Sequence, residues 1–384
     1  MPLADTTVHE IHTSERRSYR ACRRRWDWIF NQNYYPVMTA KPLDFGVAYH
    51  KGMETFYKPE TWDFPPNIKT ELAIKAFVDT TNKQRKKYME VVEDWKLEED
   101  VQTDFDERVE LGKGMIRYHA ERVSPAEDGH WKPVRVEIAF QIPIVHPDNG
   151  QPLTCVNPHC RHPQGAPVVY AGRMDALGED AHGDYWVIDW KTARSLTAND
   201  EFLQLDDQVG SYVWACNILG LPVRGFIYHE MKKGFPQPPP KNKVQRLGCW
   251  FSKNKQQDTN YEIYRDTVMK EDSKAFEEGL YDDMLYFLQE EGPRYYQRFQ
   301  INKSPAELEQ IGRNIGLEAL EMIDPGTRIY PSPGRFGCSF CAFRQPCLGQ
   351  NNGEDYTYAL DTLFERREHY YVREDASTES KGAE

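Results

Sequence analysis

Two charged residues stand two positions apart in a segment that otherwise resembles a buried β-strand, DYWVIDWKTA (residues 184–193). Side chains at positions i and i+2 of a strand share one face, so Asp189 and Lys191 are expected to point into one cleft. The preceding segment ends in GRMD, and a hairpin closing over DAHGD brings Asp175 close to Asp189. Two neighbouring carboxylates resist joint ionisation unless a divalent cation neutralises them. These residues predict a Mg²⁺ or Mn²⁺ site at which Lys191 lies beside a nucleophilic water and a phosphodiester. A D-x-K sequence taken alone also fits a simple ion pair.

The helix expected after this strand, over residues 201–220, offers further polar groups. Gln208 and Tyr212 are four positions apart, so they share a helix face and can reach the same cleft. Tyr212 also belongs to an apolar stripe that favours core packing. The stripe comprises Phe202, Leu205, Val209, Tyr212, Val213, Cys216 and Leu219. His50 lies in the apolar helical segment DFGVAYHKGMETF, where a buried core histidine is the alternative to a ligand.

The elements that would position these groups form a mixed α/β pattern. Apolar residues at 134, 136, 138 and 140 alternate with other residues in PVRVEIAFQIPI, which predicts a strand. The predicted hairpin of VVYAGRMDALGE and DYWVIDWKT follows, then the helix, then a strand in VRGFIYHEM. Helical segments precede and follow this core. The expected fold class is therefore α/β, with a central sheet flanked by helices.

Charge and composition narrow the class of protein. Of the 384 residues 39% are hydrophobic and 28% charged, which is typical of a folded chain. No apolar run is long enough for a bilayer and the N-terminal segment has no signal-peptide core, so we expect a cytoplasmic protein without membrane contact. The net charge of −12 argues against indiscriminate coating of nucleic acid. Basic runs at 16–25, 83–87 and 232–246 nevertheless suit local nucleic-acid grooves, or else plain solvated surface.

The cysteines suggest a second metal site. Cys338, Cys341 and Cys347 follow a C-x₂-C-x₅-C pattern, and Cys22 is the candidate for a fourth ligand. Four thiolates fit a 4Fe–4S cluster or a tetrahedral zinc ion. Separately, the segment CVNPHCRHP contains Cys155, His159, Cys160 and His162, which would allow a zinc site or form a surface loop. Cys216 and Cys249 are expected to be buried core thiols.

In order and spacing, four short motifs resemble the PD-(D/E)xK nuclease superfamily, in the RecB-type branch that includes the AddB nuclease domain and the CRISPR-associated iron–sulfur exonucleases. The motifs are Gly46-x-x-x-His50, Gly172-x-x-Asp175, Asp189-Trp190-Lys191 and Gln208-x-x-x-Tyr212. Glu137 lies in the strand before the hairpin, where such proteins often carry a glutamate. The resemblance implies a restriction-endonuclease-like core with helical elaborations and an iron–sulfur subdomain that joins the two termini.

The resemblance also implies roles for individual residues. His50, Asp175, Asp189 and the Trp190 carbonyl would bind the metal, and Lys191 would orient the water and stabilise developing charge. Gln208 and Tyr212 would contact DNA or position the lysine. Cys22, Cys338, Cys341 and Cys347 would hold a structural 4Fe–4S cluster, and the segment with Arg20, Arg23, Arg24 and Arg25 would line the DNA path. An imidazole ligand is softer than a carboxylate, so Mn²⁺ should support activity at least as well as Mg²⁺.

These inferences define a domain organisation and a functional hypothesis. The expected parts are an N-terminal helical region (1–125), a nuclease core (126–235), a strand and helical elaboration (236–330), the cysteine segment (331–350) and a C-terminal helix with a disordered tail (351–384). The leading hypothesis is a metal-dependent DNA exonuclease acting on single strands or frayed ends. Its expected context is recombination, repair, phage or defence, where it would act alone, as an oligomer or within a larger complex. The alternatives are a non-catalytic iron–sulfur DNA-binding subunit and a zinc-ribbon regulator.

Overall fold

The computed structural model describes residues 8–37, 41–90, 95–158, 162, 164–198 and 201–366. The strands in this part of the chain are β1 (His9–Ile11), β2 (Tyr34–Pro36), β3 (Trp131–Pro143), β4 (Val168–Asp180), β5 (Tyr185–Ala193), β6 (Val223–Lys232), β7 (Lys241–Arg246), β8 (Cys249–Phe251), β9 (Tyr296–Asn302) and β10 (Phe364–Arg366). The α-helices are α1 (Thr13–Ala21), α2 (Arg23–Trp26), α3 (Lys41–Phe56), α4 (Pro66–Met89), α5 (Trp95–Tyr118), α6 (Ser124–Glu127), α7 (Glu201–Gln204), α8 (Asp207–Ile218), α9 (Tyr261–Glu271), α10 (Ser273–Glu277), α11 (Asp282–Glu290), α12 (Pro305–Ile323), α13 (Arg335–Ser339), α14 (Arg344–Asn352) and α15 (Tyr356–Leu363).

A mixed sheet of six strands forms the centre of the protein. Its order is β1, β4, β5, β6 and β9, with β3 as a further neighbour of β4. Strands β4 and β5 are antiparallel, which confirms the predicted hairpin, whereas β5 and β6 are parallel. Strands β1 and β9 lie outside residues 126–235, so the sheet draws on chain segments on both sides of the expected core.

Helices cover both faces of the sheet, as the predicted fold class requires. Helices α1, α8 and α12 contribute to one buried cluster, which includes Tyr19, Val213 and Ile315. Helices α3, α4 and α5 contribute to the other, which includes Met53, Phe77 and Met115. Trp186, Ile188 and Trp190 of β5 lie in the second cluster, as the alternation in the strand predicts.

The strand predicted from PVRVEIAFQIPI is confirmed as β3. Val134 in this strand is 39% exposed, near the point where the register of β3 against β4 shifts between Pro133 and Arg135. The single helix expected over 201–220 is divided into α7 and α8, since the Asp206 side chain accepts hydrogen bonds from the backbone of Gln208 and Val209 and so begins a new helix.

The division of this helix changes the exposure of its apolar stripe. Phe202 and Leu205 precede the new helix start and are 70% and 83% exposed. Leu219 at the C-terminal cap of α8 is also exposed. The three residues therefore do not pack in the core, unlike Val209, Tyr212, Val213 and Cys216, which are buried. Cys249 is buried as well, so both expected core thiols are confirmed.

Two smaller units extend from the sheet. Between β6 and β9, the β7–β8 hairpin and helices α9 to α11 surround a separate apolar core that includes Phe251, Tyr264 and Tyr281. Near the end of the described chain, β10 pairs with β2, so this part is joined to the N-terminal segment. No helix in the described ranges is long and apolar enough to cross a membrane. The disordered tail predicted from sequence lies outside the described residues.

Candidate active site

The β4–β5 hairpin brings two carboxylates together. Pairing between the strands runs from Glu179 opposite Tyr185 to Ala176 opposite Ile188 and then ends. The Trp190 N–H, which is therefore free of the β4 ladder, donates a 2.9 Å hydrogen bond to Asp175 Oδ2. Asp175 thus lies beside the segment that carries Asp189. The role of the Trp190 carbonyl as a ligand stays a prediction.

Asp189 is enclosed by polar partners on its own strand and on helix α8. The carboxylate is 1% exposed. Lys191 Nζ lies 2.9 Å from Oδ1 and 2.7 Å from Oδ2, with hydrogen-bond geometry to Oδ1 alone. Gln208 Nε2 donates a 2.9 Å hydrogen bond to the same Oδ1, and no described residue donates a hydrogen bond to the buried Oδ2. The predicted meeting of Asp189, Lys191 and Gln208 is therefore present in the fold.

Helix α3 adds His50 from the other side of Asp175. His50 Nδ1 lies 3.1 Å from Asp175 Oδ2. Burial disfavours the charged imidazole, but the Asp175 carboxylate outweighs it and raises the pKa of His50 above its ordinary value. The two groups thus lie within ion-pair distance of each other when no cation is bound. A histidine that ligates a metal is neutral, so a proton and a cation compete for this position.

The two carboxylates have different acidities. Burial raises the pKa of Asp175, but His50, Lys191 and the Trp190 N–H together lower it below its ordinary value. Burial raises the pKa of Asp189 to about 6, with Lys191 opposing the shift and the charge of Asp175 adding to it. Burial lowers the pKa of Lys191, but the two carboxylates raise it above its ordinary value. Lys191 is consequently protonated in this state, and its ammonium group pairs with Asp189. The role of Lys191 in catalysis stays a prediction.

Tyr212 lies further from the charged groups. Its ring packs edge-on against Phe140, with ring centroids 5.5 Å apart, and the side chain is 8% exposed. Burial raises the pKa of its hydroxyl, and the neighbouring Gln208 side chain opposes this shift. Tyr212 therefore lies beside Gln208 on the core side of helix α8. A direct DNA contact by Tyr212 stays a prediction.

Two further carboxylates face the same region. Glu137 has a positive φ of 50°, an unusual conformation for this residue type, and pairs with Arg173 at 3.1 Å. Burial raises the pKa of Glu137, and the charges of Asp175 and Glu54 raise it further. Glu54 belongs to none of the motifs in the sequence, although it lies one helical turn after His50 in α3 and so shares its face.

The donor types at this site fit a hard divalent cation. Carboxylate oxygens and one imidazole nitrogen suit Mg²⁺ or Mn²⁺, and the buried Asp189 Oδ2 accepts no hydrogen bond from the described part of the chain. Among the described residues, no group of three or more His, Cys, Asp or Glu side chains is arranged to hold a metal ion. The donors face each other instead, as the His50–Asp175 pair shows. Binding a cation therefore requires these side chains to separate.

The cysteines of the N-terminal and C-terminal segments approach each other. Ser332 N–H lies 3.5 Å from Cys22 Sγ, Gly334 N–H lies 3.4 Å from Cys338 Sγ, and Arg24 donates to Cys347 Sγ at 3.4 Å. Burial raises the pKa of Cys341, Arg25 lowers it, and Cys22 and Cys338 raise it, so all three lie within electrostatic range. The described cysteines are free thiols, and they do not form a metal-binding group. Of the expected zinc set in 155–162, His159 and Cys160 lie outside the described residues.

The N-terminal arginines contact other parts of the protein. Arg20 pairs with Asp207 and Glu318, Arg23 with Glu321, Arg24 with Asn351, and Arg25 with Ser18. These contacts join α1 and α2 to α8, α12 and the cysteine segment. A role of Arg20, Arg23, Arg24 and Arg25 in binding DNA stays a prediction.

The fold and the site define a class of hydrolytic enzyme: a mixed sheet carries two acids and a lysine at the end of a β-hairpin. The model of the PD-(D/E)XK nuclease superfamily matches residues 13–348. The chain belongs to this superfamily, so nuclease activity is the activity its family implies, with DNA as the substrate and Mg²⁺ or Mn²⁺ as the usual metal. No curated protein matches the chain.

Proposed function

We propose that this protein is a metal-dependent exonuclease that degrades single-stranded DNA or the frayed end of a duplex, and that it serves DNA recombination, repair or defence. The observation that supports catalysis is the buried set of Asp175, Asp189 and Lys191, with Gln208 on the last acid. A carboxylate that is 1% exposed and raised in pKa is costly to bury, and such groups occur often at catalytic sites. This cost favours catalysis over binding alone.

The residues of the site have distinct roles in this proposal. A bound Mg²⁺ or Mn²⁺ supplies charge neutralisation and an acidic water. Asp175, Asp189, His50 and the Trp190 carbonyl would hold the cation. Lys191, a cation in the resting site, places positive charge where the phosphate becomes more negative during attack. Gln208 holds the Asp189 carboxylate in place, and Tyr212 fixes the position of Gln208.

Nuclease assays on DNA with defined ends test this proposal. With Mn²⁺ present we expect Lys191→Ala to lower the cleavage rate of a labelled single strand by about 10²- to 10³-fold, because one preorganised charge is lost. Lys132→Ala is the matched control, since Lys132 pairs with Glu179 at 3.3 Å on the same sheet but outside the site. Equal inertness of wild type and Lys191→Ala would favour the non-catalytic DNA-binding subunit.

The choice of substrate distinguishes exonuclease from endonuclease. Strands labelled at the 5′ or the 3′ end report the direction of degradation, and a circular single strand reports internal cleavage. We expect linear strands to be degraded and circles to survive. Cleavage of circles would contradict the exonuclease assignment while leaving a nuclease. A strict preference for Mg²⁺ over Mn²⁺ would count against His50 as a ligand.

We also propose that Cys22, Cys338, Cys341 and Cys347 hold a structural 4Fe–4S cluster that joins the two ends of the chain. The support is the approach of these segments and the N–H groups directed at the sulfurs of Cys22 and Cys338, an environment that thiolate ligands favour. Protein purified without oxygen should contain iron and sulfide and absorb visible light, and Cys22→Ser should lose both. A colourless protein with one zinc per chain would contradict this part of the proposal.

A further inference from the structure

The hairpin of β7 and β8 ends in an unusual turn. Leu247 and Gly248 connect the strands and have positive φ angles of 51° and 83°. Two consecutive residues with positive φ are typical of a tight hairpin turn, in which Asn, Asp and Gly are the preferred residues. A leucine at such a position is strained, and its side chain here is 94% exposed. Neither the backbone nor the packing of the hairpin explains why this residue is a leucine.

The hairpin is held firmly by the unit on which it stands. Cys249 and Phe251 of β8 are buried in the core of helices α9 to α11. The Phe251 N–H donates to Tyr281 Oη at 3.1 Å, and the Trp250 N–H donates to Asp272 at 2.9 Å. Tyr281 in turn donates to Asp272 at 2.5 Å. The exposed leucine is therefore presented at the tip of a fixed support.

The segment around the hairpin has a charge opposite to that of the whole protein. Residues 232–257 contain seven Lys and Arg residues and no Asp or Glu, in a chain of net charge −12. Lys243 and Arg246 are exposed on β7 and make no ion pair with any described residue. A basic, exposed strand with an apolar tip matches the two surfaces of a nucleic-acid end, which are phosphates and stacked bases.

The hairpin unit leaves the sheet at the end that carries the candidate active site. Lys191 lies opposite Glu230, and two residues further Ala193 lies opposite Lys232. The Lys233 N–H donates to the Ala193 carbonyl at 2.7 Å, and the Lys232 N–H donates to the Tyr295 carbonyl at 2.9 Å. The chain therefore leaves the sheet near Lys233 and returns to it near Tyr295, and both points lie within a few residues of Lys191 in the sheet. Each residue corresponds to about 3.3 Å along a strand.

We propose that this hairpin separates the strands at a duplex DNA end. Leu247 enters the terminal base step in place of a stacked base, and Lys243 and Arg246 contact the flanking phosphates. The strand released in this way continues toward Lys191. This inference rests on the proposed nuclease function and adds that duplex ends, as well as single strands, are substrates.

Leu247→Asn tests the proposal without compromising folding, because Asn accepts a positive φ better than Leu. Leu219→Asn is the matched control: it removes another exposed leucine, 45% exposed at the end of α8. Both are made in the Lys191→Ala background and added to a blunt duplex with 2-aminopurine next to its end. Binding should raise the fluorescence of this base for the parent and for Leu219→Asn, whereas Leu247→Asn should lose the rise.

A second measurement uses the proteins with Lys191 intact. The ratio of the cleavage rates of blunt duplex and single strand should fall about tenfold or more in Leu247→Asn and stay unchanged in Leu219→Asn. A fluorescence rise that does not depend on Leu247 would overturn the proposal and leave the tip as a contact for another protein. A Leu247-dependent rise in a protein that cleaves no DNA would support the hairpin proposal while refuting the nuclease function.

Discussion

The Asp189 carboxylate should destabilise the folded protein when no cation is bound. Burial raises its pKa from 3.8 to about 6, despite the ammonium of Lys191. One pKa unit corresponds to about 1.4 kcal/mol, so the ionised carboxylate costs the folded state roughly 3 kcal/mol near neutral pH. Asp189→Asn removes the charge but keeps an oxygen that accepts hydrogen bonds from Lys191 and Gln208. We therefore expect this loss-of-function variant to be more stable than wild type.

The pH dependence of the difference follows from the sign of the shift. Below about pH 3 the carboxyl is protonated in both the folded and the unfolded chain, so no cost arises. The cost grows as the pH rises from the unfolded pKa of 3.8 through the folded pKa of about 6, reaching about half of its full value at pH 5 and about 3 kcal/mol at pH 7. The gain in unfolding free energy of Asp189→Asn should follow the same curve.

Urea unfolding followed by tryptophan fluorescence, with EDTA present, measures these free energies. Asp184→Asn is the control, since Asp184 is 40% exposed and pairs with Arg224 at the surface, where a change within about 1 kcal/mol is expected. Replacing EDTA by Mn²⁺ should stabilise wild type and leave Asp189→Asn unchanged. An Asp189→Asn variant that is less stable than wild type at pH 7 would refute the reasoning, because the contacts of Lys191 and Gln208 would then outweigh burial.

Three further outcomes concern the core. Tyr57→Phe removes the hydroxyl that hydrogen-bonds His119 at 2.7 Å and Asp128 at 2.7 Å. This change should lower the unfolding free energy by about 2 kcal/mol in urea titrations. An unchanged free energy would show that His119 and Asp128 find other hydrogen-bond partners. Burial lowers the pKa of His119 from 6.5 to about 3, so the folded protein keeps this histidine neutral while the unfolded chain takes up a proton below pH 6.5. The unfolding free energy should therefore fall by up to about 1.4 kcal/mol per pH unit below pH 6.5. His119→Gln should flatten this slope, and an unchanged slope would contradict the lowered pKa of His119. Gly225→Ala would place a Cβ 2.4 Å from the Ile301 carbonyl, so a melting temperature within a few degrees of wild type would contradict the close pairing of β6 and β9.

Predictions that rest on short-range periodicity were the most successful. The hairpin of β4 and β5, the packing of Trp186, Ile188 and Trp190, and the contact of Lys191 with Asp189 all follow from the two-residue repeat of a strand. Gln208 reaches Asp189 because the next helix begins soon after the strand ends. The helix boundary itself was missed, since the capping bonds of Asp206 compete with an apolar repeat that continues through it.

Features that depend on distant partners could not be predicted. Strand β9 has little alternation of burial, and its membership in the sheet is decided by β6, about seventy residues earlier. The arginines before and after Cys22 resemble a nucleic-acid surface in the sequence, but in the fold Arg20 pairs with Asp207 and Glu318, and Arg23 pairs with Glu321. Those acids lie in helices that only tertiary packing brings to α1.

The sequence by itself determined the residue types, the strand that carries Asp189 and Lys191, and the family to which they point. Each of these depends on neighbours within a few positions, where backbone geometry dictates direction. The family resemblance had already placed His50 beside Asp175 among the expected metal ligands. Only the tertiary structure decided that Asp189 is buried deeply enough to raise its pKa and that Leu247 is exposed at the tip of its hairpin. Burial and charge pairing depend on which distant segments enclose a group, and no local pattern in the chain contains that information.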